Sequence, residues 1–294
     1  MINFIIVIYL LINIAFSDVF NTELGECNLQ IYDGEVEDIP EIVNLIVQES
    51  NNLITKYGNV NKRSYSIYIT SNMNDFYHKA KGPVAEWGIA VAKLNPDRII
   101  IKAPGIANIS FSRLKEVIIH ELNHIYMFRI EKYYSMPSWF KEGMAMYSAN
   151  EFSLLYKIQI SKSYWNNQII PLKSLNNFSN ITNNKITLAY GESAAAIEAL
   201  RYYYGKETPL KVLNFMREGN VFMEALEYSI KEEYIDFQIK FELYLENNFN
   251  WVFLLSSSKY LYIMLPIILV VGFIYKKRKN KLKLEEWKIS EELE

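Results

Sequence analysis

The sequence HELNH at residues 120–124 constrains this chain more than any other feature, because it contains two of only three histidines in the chain. On a helix, residues four positions apart lie one above the other on the same face, so His120 and His124 can reach one metal ion together. Glu121 lies about 100° further round the helix. Its carboxylate can therefore reach a water molecule beside the metal without binding the metal. The alternative is a surface helix with two solvated histidines.

Length and composition fit one sizeable globular unit, or two lobes that share a cleft. The chain has 294 residues, half of them apolar, with 22 tyrosines and 16 phenylalanines, so a packed core forms easily. The net charge of −2 predicts no nucleic-acid partner, since the only basic run is short and lies near the C-terminus. Cys27 is the only cysteine, which excludes an intrachain disulfide and a cysteine-ligated zinc site. The oligomeric state does not follow from these features.

Hydrophobic segments at both ends predict a domain that lies outside the cytoplasm. Residues 1–17 predict a signal peptide with a small-x-small cleavage site, although no Lys or Arg precedes the apolar block. Residues 258–275 predict one transmembrane helix, and the basic residues of 276–294 predict a cytoplasmic tail. The interpretation is a single-pass protein of the cell membrane with an extracytoplasmic domain at 18–257. A buried helix followed by a polar tail is the alternative for the C-terminal segment.

Hydrophobic periodicity predicts strands in the first part of the chain and helices after them, which favours an α+β fold with two lobes and a cleft. Asp38 and Gly58 are typical of the start and end of the first helix. The predicted elements are a helix at 38–57, strands at 63–70 and 98–102, the helix that carries the HELNH motif, and helices at 192–204 and 222–247.

A third metal ligand is needed, because a catalytic zinc site usually takes three protein ligands and leaves a fourth position for water. The metzincin pattern requires glycine and histidine where this chain has Met127 and Ile130. Glu142, 18 positions after His124, is the candidate. Eighteen residues are enough to end one helix and bring a second helix back beside it. The alternative is a first-turn glutamate that is favoured there only by the helix dipole.

With these residues the chain resembles the peptidase MA-like proteins among the gluzincins, to which thermolysin is related. The resemblance rests on HELxH, on WFxEGxAxY at 139–147, and on YGES at 190–193 opening a helix, and it extends over most of 30–250. It implies a thermolysin-like metallopeptidase domain with a small mixed sheet, a metal-binding helix pair and a helical C-terminal lobe.

The resemblance also implies a role for each residue of the site. It implies Zn²⁺ held by His120, His124 and Glu142, with Glu121 as general base. One position departs from the thermolysin pattern: the aspartate that holds a histidine there, four residues after the third ligand, is replaced by Met146. A different group, such as a backbone carbonyl, must then orient the histidine.

These features predict a membrane-anchored zinc metallopeptidase that acts on peptides or proteins. Tyr190 is the candidate donor to the oxyanion, at the mouth of a helix whose N-terminal amides also favour negative charge. A core or rim tyrosine is the alternative, and Tyr147 is a second candidate. The strand at 98–102 could serve as an edge on which an extended substrate pairs. Two other functions stay open: a catalytically silent peptidase-like binding module on the cell surface, and hydrolysis of a non-peptide amide or ester.

Overall fold

The N-terminal part of the chain builds a five-stranded mixed sheet. The structure is a computed structural model that describes residues 16–32, 36, 38–81, 88–256 and 258–291. Most of the predicted signal peptide, residues 1–15, lies outside the described residues. The strands of the sheet are β1 (Phe16–Thr22), β2 (Gly25–Ile31), β3 (Tyr65–Thr70), β4 (Ala90–Lys93) and β5 (Arg98–Lys102).

The strand order is β1-β2-β3-β5-β4. Strands β2, β3 and β5 run parallel, whereas β1 and β4 are antiparallel to their neighbours. The sequence-based expectation that 98–102 forms an edge is therefore wrong, because β5 is paired on both sides. Its three consecutive isoleucines, residues 99–101, are completely buried, and such an uninterrupted apolar run is typical of a strand that is covered on both faces. The edge strands are β1 and β4, and the sequence analysis predicted neither of them.

Helices make up most of the rest of the chain. Eleven α-helices occur in the described residues: α1 (Ile39–Tyr57), α2 (Met73–Ala80), α3 (Pro104–Ala107), α4 (Phe111–Met127), α5 (Ser138–Ser148), α6 (Leu154–Trp165), α7 (Ile186–Tyr204), α8 (Thr208–Arg217), α9 (Phe222–Ile230), α10 (Tyr234–Phe249) and α11 (Ser258–Glu291).

The first helix forms as its sequence predicts. The Asp38 side chain accepts a hydrogen bond from the backbone N–H of Glu41, and Gly58 ends the helix with a φ of 92°. The apolar stripe of α1 is buried in the core that also contains the inner residues of β2, β3 and β5. Helix α1 also contacts α4. The sheet and α1 therefore support the helix that carries the HELNH motif.

Two predicted helix boundaries differ from the structure. Helix α7 begins at Ile186, six residues before the predicted start. The predicted helix at 222–247 is divided into α9 and α10, because Lys231 takes a left-handed conformation with a φ of 58° and ends α9. Glu233 and Asp236 then cap the start of α10 reciprocally.

The α+β architecture matches the expectation, but the added transmembrane helix does not. Within the described part of the chain, no helix is both long enough and apolar enough to cross a membrane. The uncharged run at 260–275 is 16 residues long, whereas a full span takes about 20. The same helix, α11, then continues through the basic residues that follow. The expectations of a transmembrane helix at 258–275 and of a single-pass location with a membrane partner are therefore corrected.

Candidate metal centre

Helix α4 presents both histidines of the HELNH motif to a cleft. Its N-cap is Ser110, whose side chain accepts from the backbone N–H of Arg113. Apolar residues at helical spacing, including Leu114, Ile118 and Leu122, are completely buried and attach the other side of the helix to the core. The spacing of four residues then places the imidazoles of the motif one above the other on the cleft side.

Helix α5 brings Glu142 to the same place. Trp139 and Phe140 are completely buried in its first turn and anchor the helix. Gly143 allows α5 to approach α7 closely, because a Cβ at that position would lie 2.4 Å from the carbonyl oxygen of Ser193. A larger residue would separate the two helices and shift the neighbouring carboxylate. The glycine that follows Glu142 in the sequence therefore serves the position of that side chain.

The three candidate ligand atoms form a compact triangle. Nε2 of His124 lies 3.2 Å from Nε2 of His120, and Oε2 of Glu142 lies 3.5 Å from each of these nitrogens. Three ligands of a tetrahedral zinc at bond lengths of roughly 2.0–2.1 Å would lie about 3.3–3.4 Å apart. Two imidazoles and one carboxylate are also a donor set that zinc commonly takes in catalytic sites. The residues present fit a zinc ion in both spacing and chemistry.

The electrostatics of the cluster favour a cation. Burial alone would lower the pKa of His120, but Glu142 and Glu151 outweigh it and raise that pKa to about 10. Burial would raise the pKa of Glu142, yet His124 and His120 hold it well below its usual range. Both shifts show that the surrounding carboxylates stabilise positive charge at this point, and a divalent metal ion would supply that charge in place of protons.

Glu151 is the residue that sequence reasoning missed. Its Oε2 lies 2.8 Å from Nδ1 of His120, and its Oε1 lies 2.7 Å from the guanidinium of Arg113. The carboxylate thus orients the imidazole from the side opposite Nε2, the role that the missing aspartate at position 146 would have had. Its place in a loop, nine residues after Glu142, follows no fixed helical spacing. The only available signal was that it is the first carboxylate after Glu142.

Glu121 is buried beside the cluster. Its Oε2 has no hydrogen-bond partner among the described residues, and burial raises the pKa of its carboxyl group. The side chain lines a cavity of about 210 Å³ together with His120. The cavity is also lined by residues 88–90, which lead into β4, and by Ile186, Thr187 and Tyr190 of α7. The carboxylate therefore stands in the cleft between the sheet and the helical part.

The two candidate tyrosines lie in different places. Tyr190 lines the same cavity as His120 and Glu121. Its ring packs edge-on against the ring of Phe178, and the two ring centroids are 5.3 Å apart. It lies in the second turn of α7 and not at the helix mouth, because the helix starts four residues earlier than Tyr190. Tyr147 is not part of this cavity. Its ring lies 4.6 Å from the guanidinium carbon of Arg201, on the outer side of α5.

Comparisons with solved structures find zinc peptidases and aminopeptidases at low sequence identity. Aminopeptidase A from Legionella pneumophila, in complex with aspartic acid, matches with 12% identity and a TM-score of 0.50, covering 78% of this chain and 28% of the other. An M1 zinc metallopeptidase from Deinococcus radiodurans matches with 14% identity and a TM-score of 0.43, covering 79% and 50%. The chain thus spans half or less of the length of these two proteins. No curated protein sequence matches it.

A protein-family model gives the stronger result. The model described as Peptidase MA superfamily matches residues 47–236, which is more than half of the chain and includes the α4–α5 helix pair. This match confirms the resemblance to peptidase MA-like proteins that the HELNH and WFKEG segments indicated. The chain belongs to the Peptidase MA superfamily.

Proposed function

We propose that this protein is a zinc-dependent metallopeptidase that hydrolyses peptide bonds. The observation that carries the proposal is the convergence of His120, His124 and Glu142 next to the buried carboxylate of Glu121. Three ligands on one side leave a coordination position for water and substrate. Membership in the Peptidase MA superfamily supports the same conclusion.

The proposed metal ligands are His120, His124 and Glu142. Zinc bound by these three residues would polarise a peptide carbonyl and lower the pKa of a water molecule to roughly 7. Glu151 would keep His120 in the tautomer that presents a lone pair on Nε2, because its carboxylate accepts the hydrogen on Nδ1. Arg113 holds Glu151 from the other side, at 2.7 Å.

Glu121 is the proposed general base. Its unpartnered Oε2 is free to accept the proton of the attacking water, and the same carboxyl group then delivers that proton to the leaving nitrogen. Burial, which raises the pKa of this carboxyl group, makes it a better proton acceptor than an exposed glutamate. A buried carboxylate oxygen without a hydrogen-bond partner costs stability. That cost is difficult to explain in a catalytically silent binding module.

Tyr190 is proposed as the donor to the oxyanion. Burial and the nearby charges of Glu142 and Glu121 raise its pKa well above the ordinary value, so its hydroxyl remains protonated and can donate. It lines the same cavity as His120 and Glu121. Preorganised donors of this kind stabilise the negative charge that develops on the substrate oxygen.

Strand β4 is the proposed platform for the substrate backbone. It stands at the edge of the sheet, and in the described part of the chain no strand pairs with its outer side. Gly88, Ile89 and Ala90, at the start of this strand, line the metal-site cavity. An extended peptide that adds to this edge would pass directly over the metal ligands.

The test is the variant Glu121→Gln, measured for zinc content and for cleavage of a peptide library. We expect zinc to be retained and the rate to fall by about 10²–10⁴, the usual contribution of a general base. The exposed Glu131, just beyond α4, provides the matched control Glu131→Gln, which should cleave normally. Unchanged cleavage by Glu121→Gln would remove the general base from the mechanism. Absence of any chelator-sensitive cleavage by the wild-type protein would favour the binding-module alternative.

A further inference from the structure

We infer that the catalytic cleft continues into a second cavity, which receives a long basic side chain, lysine or arginine, of the substrate. This inference rests on the proposed function. The second cavity has a volume of about 430 Å³. It shares four lining residues with the metal-site cavity: Arg113, Glu151, Tyr156 and Thr187. The two cavities are therefore neighbouring parts of one cleft, separated by the Arg113–Glu151 ion pair.

One wall of the second cavity is apolar. Leu155 and Tyr156, in the first turn of α6, form this wall. The Leu155 side chain is 76% exposed. A single exposed leucine needs no explanation by itself, but this one borders a cavity that opens from a catalytic cleft. It offers the contact that the methylene chain of a long substrate residue would bury.

The charges around the second cavity sum to a negative value. Among the described residues that line it, Arg113 is the only cation, and it contacts two carboxylates, Glu116 and Glu151, each at 2.7 Å. Glu151 is also engaged by His120, and its side chain is only 5% exposed. Glu116 is 43% exposed and contacts only Arg113 in the described structure. Its carboxylate is therefore the one that a charged group entering from solvent can reach.

A long basic side chain matches both properties of this cavity. Lysine and arginine lay their methylene stems along apolar surface while the charged head remains at a polar site. The stem would pack against Leu155 and Tyr156, and the head would approach Glu116. An acidic side chain would meet two carboxylates that already pair with the one arginine in the lining, Arg113. An uncharged side chain of equal length would gain only the contact of its stem with Leu155 and Tyr156. The cavity thus discriminates by length and by charge.

The experiment uses a set of peptides in which lysine, norleucine or glutamate is placed at one position at a time on either side of the cleaved bond. Cleavage is measured with the zinc-loaded protein, and binding is measured with zinc-loaded Glu121→Gln by fluorescence anisotropy. We expect a single position at which the lysine peptide is cleaved faster and bound more tightly than the norleucine peptide, in each case by about three- to fivefold. This is the size expected for a partly exposed ion pair. Glutamate should be the poorest residue at that position.

Two substitutions assign the preference to this cavity. Glu116→Gln should abolish the advantage of lysine over norleucine. Leu155→Ser should lower the affinity for lysine and norleucine peptides alike, by roughly fivefold. Leu154→Ser is the matched control, because Leu154 is 52% exposed in the same helical turn but does not line the cavity. Leu154→Ser should change neither the advantage of lysine over norleucine nor the affinity for the two peptides.

The two levels of the proposal fail differently. Cleavage with no lysine preference at any position, or a preference that survives Glu116→Gln, would overturn the inference about the second cavity and leave the hydrolase proposal standing. If no peptide were cleaved by the wild-type protein and none bound to Glu121→Gln, the proposed function would fail, and this inference with it.

Discussion

The two sides of α4 are held by different chemistry. On the cleft side, Arg113, Glu151 and His120 form a chain of charged contacts that ends at the metal centre. Toward α1 and the end of α5, the contacts of the buried Asn123 side chain are neutral hydrogen bonds, while the more exposed Lys115 pairs with Glu41 of α1 at 2.7 Å. Asn123 donates to Ser148 at 2.8 Å, and Ser148 contacts the Tyr57 hydroxyl at 3.1 Å. Because burying charge is costly unless it is paired, the nearly buried His120–Glu151 pair fits a role in the chemistry of the cleft, whereas the neutral Asn123–Ser148 contact fits a role in the packing of the helices.

Within the cleft, two neighbouring glutamates are driven in opposite directions. The histidines hold the pKa of Glu142 well below its usual range, while burial raises the pKa of Glu121. Two carboxyl groups of one site whose pKa values are pushed apart are typical of a division of roles. The proposed division is between Glu142 as an ionised metal ligand and Glu121 as a carboxyl group that gains and loses a proton.

The largest loss of bound zinc and of peptidase activity should come from removing Glu142, the proposed third ligand. Glu142→Ala leaves two imidazoles and opens the site, so we expect the protein to lose most of its zinc after dialysis, together with its peptidase activity. Metal content by atomic emission spectroscopy checks this. Full zinc occupancy in Glu142→Ala would exclude Glu142 from the ligand set.

A smaller loss of zinc affinity is expected when the contact between Glu151 and His120 is changed. Glu151→Gln keeps the shape of the side chain but removes the charge that orients the imidazole, so zinc affinity should fall about 10- to 100-fold. Competition with a fluorescent chelator measures the affinity. Glu116→Gln is the control, since Glu116 contacts Arg113 equally closely but does not contact His120. Equal losses of affinity in the two variants would contradict the role of Glu151.

Breaking the neutral hydrogen bond between Asn123 and Ser148 should change the stability of the protein but not its zinc affinity. Ser148→Ala removes the partner of the buried Asn123 amide, which should lower the free energy of unfolding by about 1–3 kcal/mol. Zinc affinity, measured in the same preparation, should remain within a factor of about two of the wild type, since lost packing contacts and lost ligand orientation are separate effects. A loss of affinity comparable to that of Glu151→Gln would show that the two sides of α4 are not separable.

A pH-dependent effect of small size is expected far from the charged chain. Glu192 in α7 is completely buried and accepts from the backbone N–H of Ile170, and burial raises its pKa well above the ordinary value. As pH rises above about 4.5, the unfolded chain loses this proton before the folded protein does, so the folded state loses relative stability until the raised pKa is reached. Below about pH 4.5, Glu192 is protonated in both the folded and the unfolded state, so its contribution to the free energy of unfolding is constant.

Glu192→Gln removes this titration. Relative to the wild type, the variant should therefore gain unfolding free energy as the pH rises above about 4.5. Urea denaturation at several pH values measures the difference, with the exposed Glu224→Gln as control. A difference between Glu192→Gln and the wild type that does not change with pH would show that Glu192 is ionised in the folded protein.

Local signals in the sequence predicted several elements well. The Asp38 cap and Gly58 stop predicted α1 almost to the residue, because such caps are set by local chemistry. The HELNH spacing and the distance to Glu142 placed three residues in one candidate site, and the structure brings their ligand atoms within 4.8 Å of one another. Their roles remain predictions.

Features that depend on tertiary contacts were not predictable in this way. Strand β4 has only four residues, so its pattern is too short to identify, yet its pairing with β5 makes β4 an edge strand in place of β5. Glu151 reaches His120 from a loop, without any periodic spacing. The C-terminal apolar run resembled a membrane span in composition, but among the residues that the structure describes no helix is both long enough and apolar enough to cross a membrane.

The most direct measurement of the central claim is X-ray anomalous scattering at the zinc edge from crystals of the zinc-loaded protein. The account predicts one strong anomalous peak within about 2.0–2.2 Å of Nε2 of His120, Nε2 of His124 and an oxygen of Glu142. A peak elsewhere in the protein, or a Glu142 side chain turned toward solvent while zinc sits on the histidines, would contradict it.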